Sequence, residues 1–244
     1  MKLKTLAAGL VRLERTDIEY ANNFSEEKIN CLFNKMAVSP VVNIINLNLG
    51  YVNCSSVDPE VFADAIIRVE NVTMNYIDED QAIALFHLIS RGQNIGLKTL
   101  GVNGSGLEDI PACDFSEAVV KLEEVDLMGS FPTEDQIQGI FNMITSSENL
   151  RLRRLDLEGN IDVFESEESA DDLIRAISRL EEFNFIDNNL SEEQVTAIFN
   201  MVAERRTGKL KKINIGEIGF DEISEDLRER AEMNEEVELD YALM

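Results

Sequence analysis

"LRRLDLEGN", residues 152–160, is matched 28 positions later by "LEEFNFIDN", residues 180–188. The apolar skeleton is the same in both: Leu152, Leu155 and Leu157 in the first, Leu180, Phe183 and Phe185 in the second. Two arginines between those apolar teeth have become two glutamates. Leu97, Leu100 and Val102 carry the same spacing, so the shared template is L-x-x-L-x-L. Aligning the last apolar residue of each such segment gives Leu47, Met74, Val102, Leu127, Leu157, Phe185, Ile215 and Leu239, with steps of 24 to 30 residues. A less regular copy, "TDIEY" at 16–20, precedes them. Recurrence at this period is the signature of a repeat array, because one such unit cannot bury its apolar face alone.

Two helical patterns alternate between the strand-like segments. The first reads "SEEKINCLFNKM", "DEDQAIALFHLI", "TEDQIQGIFNMI" and "SEEQVTAIFNMV"; the second reads "DPEVFADAII", "DFSEAVV" and "ADDLIRAIS". Apolar residues of the first type recur at helical spacing, as in Ile137, Ile140, Phe141 and Ile144. Thr133 with Gln136, and Ser191 with Gln194, have the spacing of a capping box, in which each side chain satisfies a free backbone N–H. Asp58-Pro59 sets a cap before a proline at the first helical position, where its missing N–H costs nothing. Stacked strand–helix units bury a continuous core. The predicted fold is α/β: a leucine-rich repeat solenoid with a curved parallel β-sheet on the concave face and α-helices on the convex face, alternating two repeat types. It is expected to form a single domain over residues 1–244, of about eight to nine repeats, with nine strands spanning on the order of 40 Å.

Units of this length, alternating in two types, resemble the ribonuclease-inhibitor class of leucine-rich repeats, from about residue 13 to residue 241. The class motif continues L-x-x-L-x-L-x-x-N/C-x-L. Asn160 and Asn188 keep its asparagine, Ser105 and Ser130 replace it, and Gly50, Ile77 and Ile218 depart from it. The resemblance implies a non-catalytic recognition module that grips a protein on its concave sheet. The ribonuclease inhibitor itself is longer and rich in cysteine, whereas this chain has three.

The charge balance narrows the partner. There are 47 acidic residues against 22 basic ones, a net charge of −25. Nucleic-acid affinity rests on lysine and arginine neutralising phosphates, so this field argues against nucleic acid and against anionic membrane surfaces. A basic protein would instead be drawn in. Cys31, Cys54 and Cys113 are an odd count without CxxC spacing, which is neither a disulfide framework nor a zinc site and suits the reducing cytoplasm. No stretch approaches the roughly 20 apolar residues needed to cross a bilayer. The expected state is monomeric, without metal or cofactor.

Alternate side chains of a strand point to opposite faces. With Leu155 and Leu157 inward, Arg154 and Asp156 lie on the concave face. The column of Arg154 reads Ile44, Asn71, Thr99, Glu124, Arg154, Glu182, Lys212, Glu236, and its signs alternate from Glu124 onward. The residues just before follow suit: Glu123, Arg153, Glu181, Lys211, Glu235. Opposite charges across neighbouring strands stabilise by roughly 0.2–1 kcal/mol per pair, the low end when exposed. The inversion therefore reads as self-neutralising architecture, with a pattern aimed at a partner as the alternative. The next column reads Asn46, Thr73, Gly101, Asp126, Asp156, Asn184, Asn214, Glu238. Asp126 and Asp156 are adjacent like charges, with Glu158 and Asp187 just beyond and Met128 and Ile186 as apolar neighbours. This partly unneutralised patch is the candidate contact site; a solvated strand face with diagonal pairing to Arg154 is the plainer reading.

Catalytic chemistry finds little support. His87 is the only histidine, and it occupies a repeat position held elsewhere by Asn34, Asn142 and Asn200. "GVNGSG" (101–106) is glycine-rich but lacks the phosphate-loop lysine. Cys31 aligns with Ala84, Gly139 and Ala197, as a small packing residue would. The acidic runs "ESEESADD" (165–172) and "DEISEDLRER" (221–230) read as solvated helix faces. A non-enzymatic scaffold for protein recognition is the expected function. The alternative is a regulator of a partner enzyme, on the pattern of the Ran GTPase-activating proteins, which a GTPase assay would detect as a rise in turnover. A segment of a longer, immune-receptor-like array is a third reading, since neither end shows a dedicated cap.

Overall fold

Nine short strands and eight helices alternate along the described residues of the computed structural model, which are 15–17, 25–92, 95–160, 170–218 and 223–243. The strands are β1 (Arg15–Asp17), β2 (Asn46–Gly50), β3 (Asn71–Asn75), β4 (Thr99–Asn103), β5 (Glu124–Asp126), β6 (Arg154–Asp156), β7 (Glu182–Asn184), β8 (Lys212–Ile218) and β9 (Glu238–Leu243). They form one parallel sheet in sequence order, each strand bonded to the next. Strand–helix–strand steps that always advance by one neighbour make a solenoid, as the repeat requires.

The two helix types are physically distinct. The first type forms α1 (Glu26–Val38), α3 (Glu79–Arg91), α5 (Glu134–Ser146) and α7 (Glu192–Ala203), of 12 or 13 residues. The second type forms α2 (Pro59–Ile66), α4 (Ala112–Lys121), α6 (Ala170–Ile177) and α8 (Glu225–Glu232), of 8 to 10 residues. Both capping boxes form, and the Asp58 carboxylate accepts from the N–H of Val61. Phe33 stacks on Phe62 at 5.2 Å and Phe86 on Phe115 at 5.0 Å, so a first-type helix is locked to the second-type helix that follows it. Such ring pairs add about 0.5–1.5 kcal/mol beyond their buried area.

The inward teeth are buried from Ile44, Leu47 and Leu49 through Leu210, Ile213 and Ile215. This corrects the predicted alignment at both ends by two residues. Leu47 pairs with Val72, and Leu239 with Ile213, rather than with Met74 and Ile215. Beyond these pairs each strand carries an irregularity: the register shifts between Asn48 and Gly50 in β2 and between Asn214 and Gly216 in β8. An extra residue there moves every later side chain along the ladder. Ile44 is thus core, and Asn46 takes its place at the head of the Arg154 column, while Glu238 replaces Glu236 at the foot. Asn48 and Asp240 then bound the next column in place of Asn46 and Glu238, and Val52 replaces Gly50 at the motif asparagine position. The predicted strand at 16–20 starts at Arg15 instead, and 18–20 lie outside the described residues. Of the two acidic runs, residues 165–169 and 221–222 also lie outside them; α8 buries only Leu227 and Ala231.

Two polar devices tie repeat to repeat across the core. Asn160, fully buried, donates through Nδ2 to the carbonyls of Leu127 (3.1 Å) and Leu157 (2.8 Å) and accepts from the N–H of Phe131 (2.8 Å). Asn188 repeats the arrangement one step on, donating to Leu157 and Phe185 and accepting from the N–H of Asn160. Ser130 reaches back to the carbonyl of Val102, and Ser105 accepts from the N–H of Ile77, each doing part of the asparagine's work. The second device is the glutamine of the first helix type. Gln81 donates to the carbonyls of Cys54 and Val57, and Gln136 to those of Leu107 and Ile110, each in the loop of the preceding repeat.

Candidate functional site

From Glu124 to Glu238 every charge in the outer concave column is met by an opposite one. Arg154 lies between Glu124 (3.4 Å) and Glu182 (2.9 Å), and Lys212 holds Glu238 at 2.5 Å. The flanking column is longer than the sequence reading gave. Glu70 and Lys98 pair at 2.6 Å one repeat earlier, followed by Glu123–Arg153 at 2.9 Å and Glu181–Lys211 at 2.5 Å. Signs therefore alternate over Glu70, Lys98, Glu123, Arg153, Glu181 and Lys211, and the register brings Val237 rather than Glu235 next. Extending the template back from Leu100 to Val72 by the same offset would have found the first pair. Hydrogen bonding to Lys211 holds the Glu181 carboxyl below its usual range, and Glu238 raises the Lys212 ammonium. The inverted charges of the two opening segments are a ladder of mutual neutralisation.

The neighbouring column is built differently. Asn48, Asp126, Asp156, Asn184 and Asn214 each accept, through Oδ1, the backbone N–H two residues on. These Asx turns steer the chain out of the strand, which explains why short carbonyl-bearing side chains recur there. The second oxygen of each aspartate is turned away from its twin: Asn103 Nδ2 donates to Asp126 Oδ2 at 3.3 Å, and Asn184 Nδ2 to Asp156 Oδ2 at 3.0 Å. Asp126 and Asp156 are direct partners in the β5–β6 register. Two like charges thus face each other across adjacent strands, a destabilising placement.

A trough of about 320 Å³ lies over this face. Eight of the twelve predicted contact residues line it: Glu124, Asp126, Arg154, Asp156, Glu182, Asn184, Lys212 and Asn214. Met128, Glu158, Ile186 and Asp187 do not; they follow the ends of β5, β6 and β7, on the edge where strands turn toward helices. Thr73, Thr99 and Gly101 also line the trough. Their small size is the signal that could have found them, because a column of short residues beside long ones leaves a hollow.

Burial raises the Asp126 carboxyl above its ordinary value of 3.8, the Met128 N–H opposes that rise, and Asp156 adds to it. A folded-state value above the unfolded one means that ionisation costs stability. That cost is absent below the unfolded value, grows up to the folded one and is complete above it. Asp126→Asn is therefore expected to raise the melting temperature by about 0.5–4 °C at pH 7, from the roughly 0.2–1 kcal/mol of a relieved like-charge contact. Below about pH 3.5 the gain should vanish. Asn103 Oδ1, buried without a partner, can accept from the new amide once Asn103 turns over. Thermal melts across pH check this, and a gain independent of pH would refute the electrostatic cause.

Among the described residues the helical layer holds no comparable feature. His87 Nδ1 meets Asp114 Oδ2 at 2.8 Å, and Ser90 donates to Asp114 Oδ1 at 3.0 Å, tying α3 to α4. Asp114 stands between the other two, so the imidazole is not placed to take a proton from Ser90. That is the geometry of a structural tie. Burial pushes the Cys54 thiol up to about 12, which leaves it unreactive at neutral pH. Among the described residues, no group of three or more His, Cys, Asp or Glu could hold a metal ion, and no helix is long and apolar enough to cross a membrane. No protein-family model matches the chain, and no curated protein matches it.

Proposed function

We propose that this protein is a leucine-rich repeat scaffold of the ribonuclease-inhibitor-like class, a single array that binds a basic protein in its concave trough and performs no chemistry itself. One observation carries the reading. In a face where every neighbouring charge is paired, Asp126 and Asp156 stand opposite each other with a hollow above them. A cationic side chain entering that hollow would relieve their repulsion, and the net charge of −25 would draw it in. Free thiols at Cys31, Cys54 and Cys113 fit a cytoplasmic, monomeric protein.

The test is affinity capture from native cell extract with the wild type and with Asp126→Lys/Asp156→Lys, at 50 and 500 mM salt. The variant should recover at most a tenth of the basic partner that the wild type recovers, and the wild type's own recovery should fall steeply at high salt. Equal recovery by both proteins would end the assignment of this trough.

A further inference from the structure

The strand-to-helix edge beside the trough carries every highly exposed aromatic ring among the described residues: Tyr51, Tyr76 and Phe131. Tyr51 and Tyr76 occupy the same position in successive repeats, two residues past the last buried tooth of β2 and β3. Their ring centroids are 6.2 Å apart. The next three repeats fill that position with Gly104, Gly129 and Gly159, left-handed at φ between 60° and 72°, and the one after with Asp187 at φ 54°. Tyr76 adopts the same conformation at φ 62°, where glycine is the comfortable residue and a bulky side chain is strained. The strain brings no burial in return, since the residue is 67% exposed.

These residues form one continuous shelf. The Tyr76 ring lies over Gly104, within 3.4 Å of where a Cβ would stand, and the N–H of Gly104 bonds to the carbonyl of Met128. Beyond it, the space where a Gly129 side chain would stand is open. The result is two neighbouring rings, the second lying over Gly104, followed by a bare backbone floor with Met128 beside it. Acidic residues follow it along the chain. Asp78, Glu79 and Asp80 begin just past Tyr76, and Glu108 and Asp109 crowd them closely enough to raise the Glu79 carboxyl. On the other side Gly129 bonds to the carbonyl of Glu158, which leads back to the aspartate pair.

Exposed ring faces inside a strongly negative field select a planar cation. We propose that this shelf is a second contact surface for the same basic partner and takes an arginine-bearing segment of it, with a guanidinium stacked on the tyrosines and its charge met by the carboxylates of the residues that follow. The assignment rests on the trough reading for the partner's overall charge, and adds what distinguishes arginine from lysine. Guanidinium stacks flat on an aromatic face and sheds water more readily than ammonium.

Oligo-arginine and oligo-lysine peptides of equal length, titrated by calorimetry at low salt, separate the two surfaces. The wild type should prefer oligo-arginine by about two- to fivefold, the range of an exposed cation–π contact. Tyr76→Gly and Tyr51→Ala should each erase most of that preference while both peptides still bind. Tyr76→Gly should also raise the melting temperature, because it relieves the left-handed strain, so its effect on binding is not unfolding. Asp126→Asn/Asp156→Asn should weaken both peptides by a common factor and leave the preference intact. An absent preference in the wild type, or one that survives both tyrosine changes, overturns the shelf assignment. A preference lost in the tyrosine variants, beside an aspartate variant that binds like wild type, overturns the trough and leaves the shelf standing.

Discussion

Replacing Asn160 by alanine is expected to destabilise the protein by about 2–4 kcal/mol, the largest effect of any single polar substitution described here. Asn160 is fully buried between β5 and β6 and serves four backbone groups: the carbonyls of Leu127, Leu157 and Glu158 and the N–H of Phe131. The carbonyls each keep another partner, in Ser130 N–H, Asn188 Nδ2 and Gly129 N–H, so they lose one bond apiece. The Phe131 N–H loses the acceptor that holds it. A net hydrogen bond is worth about 1 kcal/mol, and the part-buried Phe131 N–H can turn to water, so the lost bonds themselves make up the cost. At this chain length such a loss lowers the melting temperature by roughly 5–12 °C. Asn160→Ser should cost about half as much, because Ser130 shows that a hydroxyl at this position still reaches the carbonyl of the preceding repeat. Urea unfolding of the three proteins measures both values. Equal stability of the alanine and serine variants would mean that volume, not bonding, sets the cost.

The asparagine position was legible because the template fixes its distance from the last apolar tooth. The core was legible for the same reason: Leu152, Leu155 and Leu157 recur as Leu180, Phe183 and Phe185, and all six are buried. The ends of the sheet were legible only in part. A two-residue error at Leu47 and Leu239 preserves the inward and outward alternation. In β2 the full template settles the register, since Ile44, Leu47 and Leu49 keep L-x-x-L-x-L, whereas at β9 Glu236 holds the first apolar position and leaves the template incomplete. Half of the candidate site was legible in the same measure. Glu124, Arg154 and Glu182 could be placed in one column because side-chain period and repeat length suffice for that. Which aspartate oxygen turns toward which neighbour could not be read, since the Asx turns at Asp126 and Asp156 depend on how the chain leaves the strand. Met128 and Ile186 were grouped with the trough because they follow it closely in sequence, yet a left-handed residue next in line carries the chain around the edge. Gln136 was legible as a capping-box residue; its reach into the preceding loop, which Gln81 shares, is a tertiary fact.

Gly208→Ala is expected to cost more than Gly129→Ala by at least about 2 kcal/mol, although both glycines have nearly the same backbone angle, φ 61° and φ 60°. The left-handed conformation costs alanine about 1–2 kcal/mol at either site. The surroundings decide the rest. A Cβ at Gly129 meets nothing within 4 Å, so strain is its only cost. A Cβ at Gly208 stands 2.2 Å from the backbone carbonyl oxygen of Ser178, a contact no side-chain rotation can relieve. That carbonyl also accepts the N–H of Lys209 at 2.8 Å, so moving it away breaks the bond that leads the chain into β8. The site is tied to this turn. Lys212 and Asn214 line the trough three and five residues further on, and Lys212 pairs with Glu238. Gly208→Ala should therefore lower the melting temperature by roughly 6–12 °C and weaken hydrogen-exchange protection over β8 and β9 before it reaches β5. Neighbour-only coupling in a repeat array predicts that gradient. A uniform loss of protection from β2 to β9 would show instead that the nine strands unfold as one unit, and the trough could then not be loosened at one end alone.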